Sequence, residues 1–199
     1  MFDLVPLIKT VGYIGLFVII FAESGLLIGF FLPGDSLIFT AGFLASQGYL
    51  EVIPLALLLF IAAVTGDAVG YSFGKKFGPK IFSKPKSLFF DPDYVDKTTG
   101  FFEKHGVKTI VLARFMPVVR TFAPVMAGVG GMKYRTFAMF NFIGGFLWSV
   151  GLTLAGYFFG QSVPNADKYI IPIVLGIIVL SLIPAVWQYI KHKRFEPPV

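Results

Sequence analysis

Apolar residues run through this chain in long stretches that are broken by few charges. Residues 136–160 and 170–190 carry no charge, and each stretch is long enough to cross a hydrocarbon core of about 30 Å as a helix. Residues 52–74 form a third stretch, broken only by Asp67, and residues 11–31 are also long enough. The pattern predicts an all-α polytopic membrane protein, with 1–199 as a single transmembrane domain.

The composition agrees with this prediction and locates the basic residues. Of the residues, 56% are apolar and 14% charged, the mean hydropathy is +0.78, and the formal net charge is +6. The basic residues gather in one central loop and in the C-terminal tail: Lys75, Lys76, Lys80, Lys84, Lys86, Lys97, Lys104 and Lys108, then Lys191, Lys193 and Arg194. Because cytoplasmic loops of membrane proteins are rich in lysine and arginine, we expect both clusters to be cytoplasmic. No nucleic-acid partner is expected.

Topology then constrains the segment between Lys108 and Lys133. If the C-terminus is cytoplasmic, residues 170–190 run from outside to inside and residues 136–160 run from inside to outside. The segment before them must therefore begin and end on the cytoplasmic side. One helix cannot enter and return, so we predict a re-entrant hairpin that is broken near Pro117.

The N-terminal half repeats this plan in the opposite orientation. Two pairs of matching motifs appear in the same order: Phe31-Leu32-Pro33 and Ala41-Gly42 with Phe115-Met116-Pro117 and Ala127-Gly128, then Gly70-Tyr71 with Gly156-Tyr157. We predict an inverted repeat with hairpin breaks at Pro33, Gly34 and Pro117. Its parts are repeat 1 (about 11–78), a cytoplasmic loop (about 79–105), repeat 2 (about 106–160) and an additional C-terminal helix (about 169–191). Chance similarity in a chain rich in Gly and Phe is the competing explanation.

Four ionisable residues fall in the predicted hairpins, with Glu23 and Asp35 in the first and Arg114 and Arg120 in the second. On an unbroken helix the two arginines would lie about 600° apart around the axis and point to different faces. The break at Pro117 allows both to point at one site. Because the guanidinium fork suits phosphate and carboxylate, we interpret the pair as a binding site for an anionic headgroup.

The two acids have a second predicted role. Burial and a neighbouring arginine act in opposite directions on the proton affinity of a carboxylate, so Glu23 and Asp35 are candidates for proton coupling and gating. Two static buried ion pairs are the alternative. Asp67 lies on a face of small residues and is expected to make a structural polar contact, with a proton relay left open. Asn141 is expected to hydrogen bond between helices.

Enzyme interpretations lack the residues they need. His105 and His192 lie in the charged loop and the tail, and neither an HExxH motif nor a phosphatase-type motif is present. There is no cysteine for a disulfide or a thiolate metal site. We therefore expect no catalytic residue, no metal and no cofactor.

The chain resembles the DedA family, whose domain is also called the SNARE-associated Golgi or VTT domain. The resemblance covers residues from Glu23 to Trp148. It depends on these motifs: Glu23, Phe31-x-Pro33-Gly34-Asp35, Gly66-Asp67 with Tyr71 and Gly74, Arg114-Phe115-x-Pro117-x-x-Arg120, Ala127-Gly128, Met132, Phe137, Asn141, Gly144 and Trp148.

This resemblance implies two opposed re-entrant hairpins and lipid flipping or scrambling. For bacterial members it implies undecaprenyl phosphate as the substrate, dependence on the proton motive force, and essential roles for Glu23, Asp35, Arg114 and Arg120. The resulting hypothesis is a proton-coupled transporter of a phosphate-headed lipid in the bacterial cytoplasmic (inner) membrane. A proton-coupled antiporter of soluble cations or drugs and a non-transporting membrane assembly factor are the alternatives, and homo-oligomer formation is left open.

Overall fold

A computed structural model describes residues 4–26, 34–82, 108–115 and 117–163, and every regular element within these ranges is helical. The elements are α1 (Leu4–Gly25), α2 (Gly34–Ser46), α3 (Val52–Phe82), α4 (Lys108–Ala113), α5 (Pro117–Val129), α6 (Tyr134–Gly145), the π-helical turn π1 (Phe146–Val150) and α7 (Gly151–Ser162). The all-helical prediction is confirmed for this part of the chain. The predicted helix at 169–191, most of the predicted loop at 79–105, and Pro33 lie outside the described residues. The start of this loop was predicted too early, because α3 continues to Phe82 and includes Lys75, Lys76 and Lys80.

Two helices in the described part are long and apolar enough to cross a membrane. One is Val52–Phe77 within α3, with 26 residues, and the other is Tyr134–Ser162, with 29 residues, formed by α6, π1 and α7. At about 1.5 Å per residue, both exceed the roughly 30 Å of a hydrocarbon core. They contain the stretches predicted at 52–74 and 136–160. The predicted hairpin segments contain shorter apolar helices, and the re-entrant geometry and the inverted repeat stay predictions.

The helix is interrupted between α4 and α5, next to Pro117, where the sequence predicted a break. Helix α4 ends at Ala113, and Pro117 begins α5, a position where its missing N–H has no helical partner to lose. The amides of Arg114 and Phe115 bond to carbonyls three residues earlier, with N···O distances of 3.3 and 3.1 Å. Arg114 is therefore carried by a tight turn, whereas Arg120 lies in the first turn of α5.

The chain divides into two compact units, each described separately. The first unit comprises residues 1–32 and 56–151, and the second comprises residues 33–55 and 152–199. In the first unit, α4 packs against α5 and α6, and α1 packs against α5. This first unit contains most of the residues that the sequence marks as functional.

Glycines bring the helices of the first unit into backbone contact. A Cβ added to Gly25 would lie 2.7 Å from the carbonyl oxygen of Gly66, and one added to Gly66 would lie 2.7 Å from that of Phe21. Farther along α3, a Cβ on Gly74 would overlap the backbone of Val125. The four-residue spacing of small residues on α3 predicted such a packing face. It holds α1 and α5 close to α3.

An aromatic cluster closes the connection between α5 and α6. Tyr71 stacks on Phe137 with 4.6 Å between ring centroids, and its hydroxyl donates a hydrogen bond to the carbonyl oxygen of Met132. Both rings are buried, together with Ile110 and Ala127. The cluster therefore ties α3 to the turn that leads into α6.

The second unit pairs α2 with α7 through a similar use of glycine. Gly42 faces the backbone of Thr153, and Gly156 faces the backbone of Phe39, in both cases without room for a Cβ. Asp35 lies in the first turn of α2 and so belongs to this unit.

Candidate functional site

Arg114 is buried, and its guanidinium group is held by contacts with two helices. Its Nη1 donates hydrogen bonds to the carbonyl oxygen of Asn141 at 3.0 Å and to Oδ1 of the same residue at 2.9 Å. Its Nη2 donates to the carbonyl oxygen of Ala63 at 3.3 Å and forms an ion pair with Oδ2 of Asp67 at 2.7 Å. The two terminal nitrogens carry four N–H donors, and these four acceptors match them. Arg114 thus connects the α4–α5 turn to α3 and α6.

Glycines on α6 provide the space for this guanidinium. A Cβ added to Gly145 would lie 3.0 Å from Nη1 of Arg114 and 2.8 Å from Cγ2 of Val64, and one added to Gly144 would lie 3.5 Å from Cδ of Arg114. Asn141 also donates from Nδ2 to the carbonyl oxygen of Val64 at 3.0 Å. The contact between α3 and α6 is therefore built around the arginine side chain.

Arg120 forms a second ion pair, which joins α5 to α1. Its Nη2 donates to Oε1 of Glu23. The side chain of Glu23 is 1% exposed and that of Arg120 is 11% exposed. Burying a carboxylate or a guanidinium alone carries a large desolvation cost. As a buried ion pair, the two groups offset much of this cost.

Trp148 links the two arginines. The Cζ atom of Arg120 lies 4.9 Å from the centre of the indole ring and that of Arg114 lies 5.6 Å from it, both within the range of cation–π contacts. Trp148 is buried and belongs to π1, a kind of turn that occurs often at functional sites. One aromatic ring therefore contacts both Arg114 and Arg120.

The resulting polar cluster is electrically balanced. It contains two acids, Glu23 and Asp67, and two bases, and Arg114 interacts electrostatically with Arg120 and Glu23 as well as with Asp67. We call Glu23, Asp67, Arg114, Arg120 and Trp148 the arginine cluster. Its net charge of zero makes its burial among apolar helices physically reasonable.

Three of the four ionisable residues predicted for the site, Glu23, Arg114 and Arg120, lie in the arginine cluster. The fourth, Asp35, belongs to the second unit, and its part in gating stays a prediction. The second acid of the arginine cluster is Asp67, which forms an ion pair with Arg114. Their roles in substrate binding and proton exchange also stay predictions.

Trp148 is among the residues that carry the family resemblance, but it was not predicted to be a site residue, although its spacing from Asn141 gives a signal. It lies seven residues after Asn141, which places both on one helical face. Both are buried, whereas Phe142 and Phe146 on the same helix are exposed. A polar residue followed at this spacing by a tryptophan in a membrane helix marks the face that meets the arginines.

The comparisons with known proteins identify the family. The family model for the VTT domain matches residues 32–158, a range that contains every member of the arginine cluster except Glu23. The chain is 52% identical to Protein DedA of Escherichia coli K12 over 184 residues, which are 92% of this chain and 84% of that protein. The chain belongs to the DedA family.

Other DedA-family relatives are named as membrane proteins. An uncharacterized membrane protein of Mycobacterium leprae is 48% identical over 168 residues, which are 84% of this chain and 75% of that protein. Inner membrane protein YghB of Escherichia coli K12 is 31% identical over 194 residues, which are 94% of this chain and 89% of that protein. No solved structure matches the chain. With its two long apolar helices, this DedA-family chain is a membrane protein.

Proposed function

We propose that this chain transports a phosphate-headed lipid across the bacterial cytoplasmic membrane, with undecaprenyl phosphate as the favoured substrate and proton exchange as the coupling step. The observation that carries the proposal is the ion pair between Arg120 and Glu23 within an apolar unit. An arginine that already holds an anionic oxygen away from water presents the geometry and charge that a lipid phosphate needs.

The proposal gives the two arginines different tasks. Sequence reasoning assigned both Arg114 and Arg120 to the headgroup. Because the terminal nitrogens of Arg114 already have four acceptors on α3 and α6, we assign it to positioning the cluster. Arg120, whose Nη2 forms an ion pair with Oε1 of Glu23, is the residue that we expect to bind the phosphate.

Transport then depends on an exchange of anions at Arg120. The arriving phosphate replaces the carboxylate of Glu23, and the displaced carboxylate takes up a proton, because an isolated charge in an apolar environment is costly. Moving one charge through a potential of 100 mV changes the free energy by about 2.3 kcal/mol. If the proton bound by Glu23 crosses the membrane together with the phosphate, the net charge moved is smaller. The electrical cost of moving the phosphate is then lower.

Exposed apolar side chains neighbour Arg120 in the sequence and suit a lipid substrate. Val119 and Phe122 on α5 and Phe115 in the preceding turn are exposed and apolar, with exposed fractions of 39%, 44% and 56%. An acyl or prenyl chain can lie against such a surface while its headgroup reaches the arginine. A soluble cation would gain nothing from it.

The experiment reconstitutes the purified full chain in liposomes and measures the transbilayer movement of labelled undecaprenyl phosphate, with the uncharged alcohol undecaprenol as the headgroup control. We expect wild type to accelerate only the phosphate lipid, and a dissipated pH gradient to slow it. Arg120→Ala should fall to the rate of protein-free liposomes. Arg135→Ala removes an exposed arginine of α6 and should leave the rate unchanged. Equal rates for wild type and Arg120→Ala would end the proposal.

A further inference from the structure

Trp148 has a place in the arginine cluster that the proposed function does not use. Its ring is buried, lies 4.9 Å from Cζ of Arg120, and is presented by the π-helical turn between α6 and α7. The neighbouring aromatic residue of this turn, Phe146, is exposed and packs edge-on against Phe60, with 6.0 Å between ring centroids. The turn therefore separates one aromatic residue that contacts the cations from one that does not.

We propose that Trp148 is the positioning residue of the headgroup site and holds the guanidinium of Arg120 in place while Glu23 leaves and the phosphate arrives. This inference rests on the proposed function and adds a residue to it. Trp148 acts through Arg120 and is not itself in contact with the transported phosphate.

The chemistry of the guanidinium group explains why an aromatic ring suits this task. When a guanidinium stacks on an aromatic ring, its flat face contacts the ring, whereas carboxylates and phosphates bind the N–H groups along its edge. The two kinds of partner therefore do not compete. A neutral ring also adds no charge that would have to be displaced when the phosphate enters. Trp148 can keep its contact through the whole exchange.

The contact of the Trp148 ring with Arg114 fixes where the ring lies. Arg114 is held by four acceptors on α3 and α6, and its Cζ lies 5.6 Å from the centre of the same indole. Trp148 therefore connects Arg120 to an arginine that is fixed by α3 and α6. A headgroup site that must bind and release an anion gains from one arginine that stays fixed and a ring that orients the other.

One test measures the contact without transport. Trp187 is the only other tryptophan in the sequence, so a Trp187→Phe background leaves Trp148 as the sole source of indole emission. In this background Arg120→Ala should shift the emission of the purified protein, and Arg135→Ala should not. Undecaprenyl phosphate should also shift the emission, whereas undecaprenol should leave it unchanged. An emission that responds to neither Arg120→Ala nor the phosphate lipid would overturn the proposal.

The second test measures transport in the liposome assay. Trp148→Leu removes the ring and should slow the movement of undecaprenyl phosphate about tenfold, equivalent to ~1.4 kcal/mol for a cation–π contact away from water. Trp148→Phe keeps a weaker aromatic face and should recover most of the rate, and Phe146→Leu on the same turn should match wild type. A folded Trp148→Leu protein with the wild-type rate contradicts the inference. If Trp148→Leu does not fold, the test uses Trp148→Phe instead. A folded Trp148→Phe protein that does not transport would contradict a positioning role.

The two proposals fail in different ways. A wild-type protein that moves no phosphate lipid overturns the proposed function, whatever the Trp148 variants do. If the wild-type protein transports the phosphate lipid and both Trp148→Leu and Trp148→Phe transport it at the wild-type rate, the proposed function stands. Trp148 then has no part in it.

Discussion

Substituting Gly145 with alanine tests the packing that holds Arg114. The new Cβ would lie 2.8 Å from Cγ2 of Val64 and 3.0 Å from Nη1 of Arg114, whereas carbon atoms in favourable contact are about 3.5–4.0 Å apart. Neither neighbour yields easily. Valine is stiff about its first side-chain torsion, and the guanidinium is bound to four acceptors. The substitution must therefore strain the contact between α3 and α6.

The size of the effect follows by comparison with Gly151→Ala. Gly151 has no atom within 4 Å of its added Cβ, so this control gains the helix propensity of alanine, up to ~1 kcal/mol, without a clash. Gly145→Ala gains the same term but also overpacks a buried contact, which costs about 1–3 kcal/mol. The difference in free energy of unfolding between the two variants isolates the packing cost, and we expect about 1–3 kcal/mol.

The assay is unfolding of the purified full chain in mixed detergent micelles, followed by circular dichroism. A rescue strengthens it, because Val64→Ala removes the closer of the two clashing atoms. The double variant Gly145→Ala/Val64→Ala should be more stable than the sum of the single effects predicts. Equal stability of Gly145→Ala and Gly151→Ala would refute the reasoning, since it would mean that the space beside Arg114 is not filled.

Three further predictions concern the same unit and use the same unfolding measurement. Asp67→Asn should destabilise the protein by about 3–5 kcal/mol, because it leaves the guanidinium of Arg114 buried without its carboxylate. Adding Arg114→Gln should restore part of the lost stability. An Asp67→Asn protein as stable as wild type would contradict the ion pair. Tyr71→Phe should cost about 1 kcal/mol for its lost hydrogen bond to the α5–α6 connection and leave lipid movement unchanged. Gly66→Ala should destabilise through its overlap with α1, whereas Gly15→Ala, with no atom within 4 Å, should not.

The membrane spans and the helix break could be predicted because their causes are local in sequence. An apolar stretch of sufficient length crosses a bilayer whatever its neighbours are, and the ring of Pro117 ends a preceding helix by its own geometry. The predicted stretches at 52–74 and 136–160 accordingly lie within Val52–Phe77 and Tyr134–Ser162. Arg114 and Arg120 could also be identified as functional candidates from the sequence, because charged residues are rare in such an apolar segment.

The pairing of the charges could not be predicted, because it depends on how the helices pack. Asp67 contacts Arg114 because Gly144 and Gly145 let the guanidinium enter between α6 and α3. The π-helical turn that carries Trp148 is equally non-local. Nothing in the run from 146 to 150 differs in composition from an ordinary apolar helix.

The exchange of anions at Arg120 can be measured through the affinity of the purified protein for undecaprenyl phosphate. Glu23→Gln removes the carboxylate that the phosphate must displace, while keeping the shape of the side chain. We expect Glu23→Gln to bind the phosphate lipid more tightly than wild type and Arg120→Ala to bind it more weakly. A Glu23→Gln protein whose affinity is equal to or lower than that of wild type would show that the phosphate does not displace this carboxylate.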